Sequence, residues 1–112
     1  MVYTKEMNVK KKGNKGENDF AHWLQSHGIK AWRNSSSGSG MYKGDINNSI
    51  DYTFEIKTVK KINLKEAWYQ VNRDSSVARN TPCLAIHFDG MPKDTWLMVM
   101  NSEDWIELVK KK

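Results

Sequence analysis

Residues 50–57 carry the pattern that most limits what this chain can fold into, an alternation of apolar and polar side chains. The apolar positions are Ile50, Tyr52, Phe54 and Ile56, and the polar positions are Asp51, Thr53, Glu55 and Lys57. A period of two predicts a β-strand with one apolar face. On such a strand Glu55 and Lys57 lie on the same side, about 6.5–7 Å apart along its axis.

A second carboxyl group precedes this strand. We predict that residues 43–46 form a short strand and that residues 47–49 form a polar turn, so that the two strands make a hairpin. The hairpin would fold Asp45 back towards Glu55 and Lys57. Two carboxylates and an ammonium group at one spot suit a divalent cation that is bound beside a phosphate.

Phosphodiester hydrolysis gives each of these groups a role. A metal ion used for this reaction needs hard oxygen ligands and open positions for water and a phosphate oxygen. Asp45 and Glu55 offer carboxylate oxygens, and the backbone carbonyl of Ile56 offers a third ligand. The metal would stabilise charge in the transition state and acidify the attacking water. Lys57 would orient that water or neutralise the developing charge.

A first helix carries a further acidic residue. The helix is predicted from Lys15 to His27, with Asn14 as its cap and Gly28 just past its end. Glu17 falls on the apolar stripe of this helix. An acid on that stripe is either a first-turn residue favoured by the helix dipole or a site residue that faces inwards. In the second case Glu17 would complete the metal site, either directly or through water.

The other elements follow from apolar periodicity and turn residues. They are a strand over residues 29–33, a small-residue loop over 34–40, a helix over 64–78, strands over 83–88 and 95–100, and a helix from residue 102. The order α-β-β-β-α-β-β-α predicts an α/β (α+β) fold, with a central mixed sheet of about five strands flanked by helices. We expect Ser102 to cap the last helix. Trp105, Leu108 and Val109 would dock that helix on the core.

Length and composition predict a single domain over residues 1–112, with residues 1–13 as a basic N-terminal arm. The chain is 38% hydrophobic and its mean hydropathy is −0.75. No apolar run reaches the ~20 residues that a membrane span needs, and the N-terminus lacks the apolar segment of a signal peptide. The one cysteine, Cys83, cannot form an internal disulfide and is expected in the core. These features are typical of a cytoplasmic protein.

The net charge of +5 is distributed unevenly along the chain. Residues 1–15 hold five lysines, and the last three residues are lysines. Residues 30–79 hold nine basic side chains against five acidic ones, whereas residues 80–109 hold one against five. Positive charge therefore gathers at the ends of the chain and around the predicted site. This distribution favours a nucleic acid as the partner.

We expect the groups that contact the phosphate backbone to be basic side chains, hydroxyl groups and one aromatic ring near the site. The loop at residues 34–40 offers hydroxyl and backbone N–H groups, although its composition is also typical of a flexible connector. The predicted contacts are Lys10, Lys11, Lys12, Lys15, Arg33, Ser35, Ser37, Ser39, Tyr42, Lys43, Lys60 and Lys61.

The order and spacing of these motifs resemble the PD-(D/E)XK nuclease superfamily and, within it, the archaeal-type Holliday junction resolvases. The matching positions are Glu17 after a Lys/Gly-rich segment, Arg33 in the following strand, the Ser/Gly loop at residues 35–40, Asp45, and Glu55-Ile56-Lys57. The resemblance extends over about residues 10–100, which is most of the chain.

The resemblance implies a restriction-endonuclease-like core and a Mg²⁺-dependent endodeoxyribonuclease, with Mn²⁺ as a substitute, that hydrolyses phosphodiester bonds at four-way DNA junctions. The site residues that it implies are Glu17, Asp45, Glu55, Lys57 and, in a supporting role, Gln70. It also implies a homodimer, because two opposed strands need two sites related by a two-fold axis. The dimer would form through the strand at residues 83–88 or through the last helix with Trp105.

Two departures from the family pattern bear on the site. Gly44 replaces the proline that usually precedes the aspartate. Asp51 lies on the same face as Glu55 and competes with Asp45 as the metal-binding aspartate. We prefer Asp45, because its distance along the chain lets it lie on the neighbouring strand.

Two other functions stay open. One is another nuclease of the same superfamily that acts on flap, end or duplex DNA. The other is a non-catalytic DNA-binding module that retains the fold. The acids Asp45 and Glu55 argue against the second, because a binding module needs no clustered acids facing a polyanion.

Overall fold

The computed structural model describes residues 5–34 and 44–111, with side chains from residue 13 onwards. Its elements are α1 (Lys5–Ser26), β1 (Ala31–Arg33), β2 (Ile46–Asn48), β3 (Tyr52–Val59), α2 (Leu64–Ala78), β4 (Thr81–Phe88), β5 (Leu97–Val99) and α3 (Ser102–Lys110). The predicted order α-β-β-β-α-β-β-α is confirmed, and so is the mixed class of the fold.

The five strands of the described residues lie in two sheets. β1 and β2 form an antiparallel pair, while the second sheet has β4 at its centre, parallel to β3 and antiparallel to β5. The predicted hairpin of β2 with β3 is therefore wrong. The Asn48 side chain bonds to the backbone of Ile50 and Tyr52, so a side chain closes this turn where a β2–β3 ladder would otherwise begin.

α2 connects two parallel neighbours, β3 and β4, as a βαβ unit requires. Its bounds equal the predicted ones. Asn63 caps its start, because Asn63 Oδ1 accepts a hydrogen bond from the Glu66 N–H (3.1 Å). Arg79 ends the helix in the left-handed region, with φ 58°. The buried stripe of α2 consists of Ala67, Val71 and Ser75.

α1 is longer than predicted, since it begins at Lys5 and not at Lys15. Asn14, the predicted cap, lies inside the helix, because residues 5–12 are mostly good helix formers. The predicted end is confirmed by Gly28, which has φ 82° just past the last turn. At 22 residues α1 has the length of a membrane span but not its apolar composition, and none of the described helices has both.

Two apolar clusters hold the helices against the strands. In the first, the ring centroid of Phe20 on α1 lies 5.0 Å from that of Phe54 on β3 and 5.0 Å from that of Trp96. Cys83 belongs to this cluster, as predicted, and burial raises the pKa of its thiol to about 12. The second cluster lies under α2 and consists of Ala67, Val71, Leu84 and Ile86.

α3 departs most from expectation. Within the described chain none of its residues is buried, and Trp105, Leu108 and Val109 are 54%, 46% and 45% exposed. The prediction that these side chains dock α3 on the core of the chain is therefore wrong. The cap also differs by one position, because the Asn101 side chain accepts the first-turn hydrogen bond (2.9 Å) and Ser102 is already helical.

The close approach of α1 to β3 gives a test of the fold. A Cβ on Gly16 would lie 2.6 Å from Thr58 Cγ2, whereas Gly13 of the same helix has nothing within 4 Å. We expect Gly13→Ala to raise the free energy of unfolding by about 0.5–1 kcal/mol through helix propensity. Gly16→Ala should lower it by about 1–3 kcal/mol through overpacking. Urea unfolding measures both changes.

The double variant Gly16→Ala/Thr58→Ala is the control for this contact. It should recover most of the stability that Gly16→Ala loses, because the two positions share one space. If Gly16→Ala is as stable as Gly13→Ala, the close approach is wrong.

Candidate active site

Asp45 and Glu55 are both buried, with exposed fractions of 7% and 6%. Asp45 precedes β2, and Glu55 lies in β3. The Asp45 N–H donates to the Phe54 carbonyl (2.8 Å), and Asp45 Oδ2 accepts a hydrogen bond from the Ile56 N–H (2.8 Å). Because these bonds go to the residues on either side of Glu55, they hold both carboxyl groups in one site.

Asn34 and Gly44 position Asp45 from the other side. The buried Asn34 side chain donates to the Gly44 carbonyl (3.1 Å), and the Asn34 N–H donates to the Asp45 carbonyl (2.9 Å). Gly44 has φ 97°, and a Cβ there would lie 3.0 Å from Thr53 Cγ2. This backbone excludes a proline at position 44, because the φ of proline is near −65°. Sequence reasoning missed Asn34, because it begins a polar run that is typical of a loop.

Two side chains hold Glu55 Oε1. Gln70 Nε2 on α2 donates to this oxygen (3.1 Å), and Lys57 Nζ lies 3.6 Å from it. Glu55 and Lys57 therefore do share a side of β3, as the strand period predicts. Gln70 borders the buried stripe of α2, so its side chain faces β3 and reaches Glu55.

One oxygen of each carboxylate is left open. Among the described residues neither Asp45 Oδ1 nor Glu55 Oε2 has a hydrogen-bond partner. The Ile56 carbonyl lies on the same edge of β3 as the N–H that Asp45 binds, because the N–H and C=O of one strand residue face the same edge. The site thus offers oxygen atoms from two side chains and the backbone.

Burial and like charge make these carboxyl groups hard to ionise without a cation. Burial, and after it the neighbouring Glu55 carboxylate, raises the pKa of Asp45 to about 7, although the bond from the Ile56 N–H opposes this. Burial also raises the pKa of Glu55, while the Lys57 ammonium group lowers it. A divalent cation would remove the repulsion and favour both ionised forms.

Glu17 lies at the edge of this site. Glu17 Oε2 accepts a hydrogen bond from Arg33 Nε (2.8 Å) in a partly buried ion pair, and Arg33 also donates to Asn14 Oδ1 (3.0 Å). The charge of Glu17 contributes to the raised pKa of both Asp45 and Glu55. Because its carboxylate is bound to Arg33, the part of Glu17 in metal binding stays a prediction.

Asp51, the competing aspartate, lies in the exposed turn before β3, with φ 60°. Its carbonyl accepts a hydrogen bond from the Thr81 N–H (3.1 Å) at the start of β4. Glu55 follows it by four positions, which is about 13 Å of extended chain. The structure therefore brings Asp45, and not Asp51, next to Glu55.

The predicted nucleic-acid contacts lie in several parts of the chain and all stay predictions. Lys60 and Lys61 are exposed after β3. Lys15 pairs with Asp19 on the exposed face of α1 (2.7 Å), and Arg33 is bound as described above. The predicted contacts outside the described residues are the side chains of Lys10, Lys11 and Lys12, and all of Ser35, Ser37, Ser39, Tyr42 and Lys43.

The donor set fits Mg²⁺. This ion binds oxygen ligands, commonly one or two carboxylates together with waters and substrate phosphates. Asp45, Glu55 and the Ile56 carbonyl would hold it, and the remaining positions would go to water and phosphate. No group of three or more His, Cys, Asp and Glu side chains in the described part of the chain could hold a metal by itself.

Comparison with known proteins bears on the fold. No family model and no curated protein matches the sequence. Among solved structures the chain is similar to Hjc, a Holliday junction resolvase from the archaeal hyperthermophile Archaeoglobus fulgidus. The TM-score is 0.59 at 19% sequence identity, over 80% of this chain and 72% of that one. The resemblance to archaeal-type resolvases is thus confirmed at the level of the fold.

The raised pKa of Asp45 predicts how stability depends on pH in the absence of metal. Between about pH 4 and pH 7 the folded chain keeps a proton on Asp45 that the unfolded chain releases, so stability should fall as the pH rises through this window. Asp45→Asn should reduce this dependence to the part that comes from the raised pKa of Glu55, and should raise the free energy of unfolding at pH 8 by roughly 1–4 kcal/mol. Urea unfolding at pH 5 and pH 8 measures it, with exposed Asp51→Asn as the control.

A second prediction concerns the cation. Mg²⁺ or Mn²⁺ should raise the melting temperature of the wild-type chain more at pH 8 than at pH 5, because proton and cation compete for the same oxygens. Asp45→Asn should lose most of this shift, and Asp51→Asn should keep it. An equal shift in wild type and Asp45→Asn would contradict Asp45 as a ligand.

Proposed function

We propose that this chain is a metal-dependent, structure-selective DNA endonuclease of the Holliday junction resolvase type, which hydrolyses phosphodiester bonds at four-way junctions. The observation that carries the proposal is the buried pair Asp45 and Glu55, each with an open oxygen, beside Lys57. The similarity of the fold to a resolvase supports it. A DNA-binding module would gain nothing from such a pair, because buried acids repel phosphate.

The proposed cofactor is Mg²⁺, with Mn²⁺ as a substitute, and when bound it would supply Lewis-acid stabilisation of phosphate charge and acidify a water molecule. The residues around it have separate tasks. Gln70 holds Glu55 by its Oε1, which leaves Oε2 without a hydrogen-bond partner among the described residues. Lys57 shares that Oε1 at 3.6 Å, and its ammonium group can turn to a water molecule or a phosphate oxygen.

The net reaction adds one water molecule across a phosphodiester. The water oxygen forms a bond to phosphorus, one ester P–O bond breaks, and the leaving oxygen ends as a hydroxyl group after gaining a proton. The products are a phosphate monoester and a free hydroxyl end. Basic side chains beside the site, such as Lys60 and Lys61, would hold phosphates without reading bases, so that DNA shape decides recognition.

Cleavage of synthetic four-way junctions, flaps and duplexes, each with Mg²⁺ or EDTA, tests the function. We expect metal-dependent, paired nicks in the junction only. Glu55→Gln should abolish cleavage, and Gln70→Ala should lower kcat about 10–100-fold, because Gln70 positions the carboxylate. Asp51→Asn is the matched control and should cut like wild type.

The other outcomes of the cleavage assay distinguish the alternative functions. Metal-dependent cutting of flaps or duplex in preference to junctions would assign the chain to another nuclease activity of the superfamily. Cutting that Glu55→Gln leaves unchanged, or binding without cutting on every substrate, would overturn the nuclease proposal.

We also propose that the enzyme is a homodimer, because paired cuts in a junction need two sites related by a two-fold axis. An apolar surface is available on α3 and on β5, which ends just before it. Trp105, Leu108 and Val109 lie on one side of α3 at i, i+3 and i+4, and all are exposed. Leu97 and Met98 of β5 are 45% and 41% exposed, and as consecutive strand residues they face opposite sides of the sheet, so only one of them can adjoin α3. We call the apolar side of α3 with the adjoining side of β5 the α3/β5 surface.

Trp105→Glu tests the α3/β5 surface as the dimer interface. It should convert a species of twice the 13.0 kDa chain mass into a monomer, measured by size exclusion with light scattering, without loss of helical circular dichroism. Trp32→Glu on β1, where Trp32 is 57% exposed, is the control and should stay dimeric. On a junction the monomer should make unpaired nicks. A Trp105→Glu variant that remains dimeric would contradict this interface.

A further inference from the structure

Two hollows on the surface of α2 adjoin each other, because they share three lining residues. The shared residues are Asn63, Glu66 and Gln70. Lys57 lines one hollow and Arg73 lines the other. We call this surface the α2 groove.

The α2 groove begins at the proposed active site. Gln70 and Lys57, which line it, are the two side chains that contact Glu55 Oε1. From Asn63 to Arg73 the helix rises about 15 Å, which is long enough for more than one nucleotide of a DNA strand to lie along it. A strand bound at the active site therefore has room to continue along α2.

The cations of the α2 groove are available to a ligand. Lys61, Lys65 and Arg73 line it and have no ion pair with any described residue. Glu66 is the one acid among the lining residues of the two hollows, and it accepts a hydrogen bond from Asn63 Nδ2 (3.3 Å). Three unpaired cations beside one acid attract phosphate groups.

Tyr69 adds an aromatic ring to these cations. Its exposed fraction is 62%, so the ring is not part of the core. Lys65 Nζ lies 5.9 Å from the ring centroid, and Arg73 follows one turn later on the same side of the helix. Exposed aromatic rings among basic side chains are the means by which proteins stack the bases of unpaired strands. In an intact duplex the faces of the bases are covered by their neighbours, so Tyr69 would find nothing to stack on.

We propose that the α2 groove binds the DNA strand next to the cut phosphate, with Lys61, Lys65 and Arg73 on phosphates and Tyr69 stacked on an unpaired base. This inference rests on the proposed nuclease function and names its substrate class. The preferred DNA is one whose strands separate within a few nucleotides of the cut, as they do at a branch point.

Binding assays in a Glu55→Gln background test the groove, because this change prevents cleavage of the probe. Fluorescence anisotropy compares a four-way junction, a forked duplex with unpaired arms and a plain duplex. Tyr69→Ala should weaken binding of the junction and the fork by about 5- to 150-fold and leave duplex binding unchanged. Tyr69→Phe should bind like the parent. Trp32→Ala, which removes an aromatic ring of similar exposure from β1, is the control and should also bind like the parent.

Salt dependence tests the phosphate contacts separately. Arg73→Gln should reduce the slope of log affinity against log salt concentration by about one, as expected for one lost phosphate contact. Lys110→Gln removes an exposed cation from α3 and should leave the slope unchanged. Glu66→Gln should strengthen binding, because it removes the acid from the groove.

The outcomes separate this proposal from the nuclease proposal. Three results would each overturn the proposal for the α2 groove. Tyr69→Ala could bind every DNA like its parent, or Arg73→Gln could keep the full salt slope. In the third, Tyr69→Ala would lose affinity only because its oligomeric mass changes. Cleavage by the wild-type chain would then leave the nuclease proposal intact. If the variants behave as expected but the wild-type chain cuts nothing, the groove is supported and the nuclease proposal falls. A parent chain that binds no DNA would overturn both.

Discussion

The hydrogen bond from the Ile56 N–H to Asp45 Oδ2 is the interaction on which the candidate site depends. Together with the bond from the Asp45 N–H to the Phe54 carbonyl, it ties the β1–β2 pair to β3, two sheets with no ladder between them in the described residues. At this position the ionised form of Asp45 is unfavourable, because burial and the Glu55 carboxylate both raise its pKa. Backbone geometry therefore keeps together two groups that electrostatics alone would separate, which is how a protein prepares a site for a cation.

The side chains around Asp45 and Glu55 partly offset the negative charge of this pair and leave one oxygen of each carboxylate open. Lys57 and Gln70 both contact Oε1 of Glu55, so one oxygen takes the support and the other stays open. Arg33 pairs with Glu17, and this ion pair offsets the negative charge that Glu17, the third acid, brings to the site. The same bond occupies a guanidinium group that sequence reasoning assigned to phosphate. Arg33 thus ties β1 to α1 beside the site.

Local sequence patterns predicted which segments form helices and strands better than they predicted which strands pair with each other. The period-two alternation gave the common side of Glu55 and Lys57, and the apolar stripe of α2 gave both its bounds, because each signal depends on neighbours along the chain. The pairing of β2 with β1 depends on how Asn48 closes a turn, and the role of Asn34 depends on a distant carbonyl, so neither has a local signature. The apolar face of α3 was also visible in the sequence. An apolar face of this kind indicates that another surface packs against it, but it does not indicate whether that surface belongs to the same chain.

On the proposed function, charge separation would let a site built from acids receive DNA. On the proposed function, the raised pKa of Asp45 leaves part of the population protonated near neutral pH, so the metal-free site repels phosphate less than two full charges would. The unpaired cations along α2 lie outside the buried pair and supply the attraction. A cation and a phosphate then favour each other, because the cation ionises the carboxyl groups and the phosphate completes its coordination. On the proposed function, metal affinity and DNA affinity would therefore be coupled through the same two oxygens that the protein leaves open.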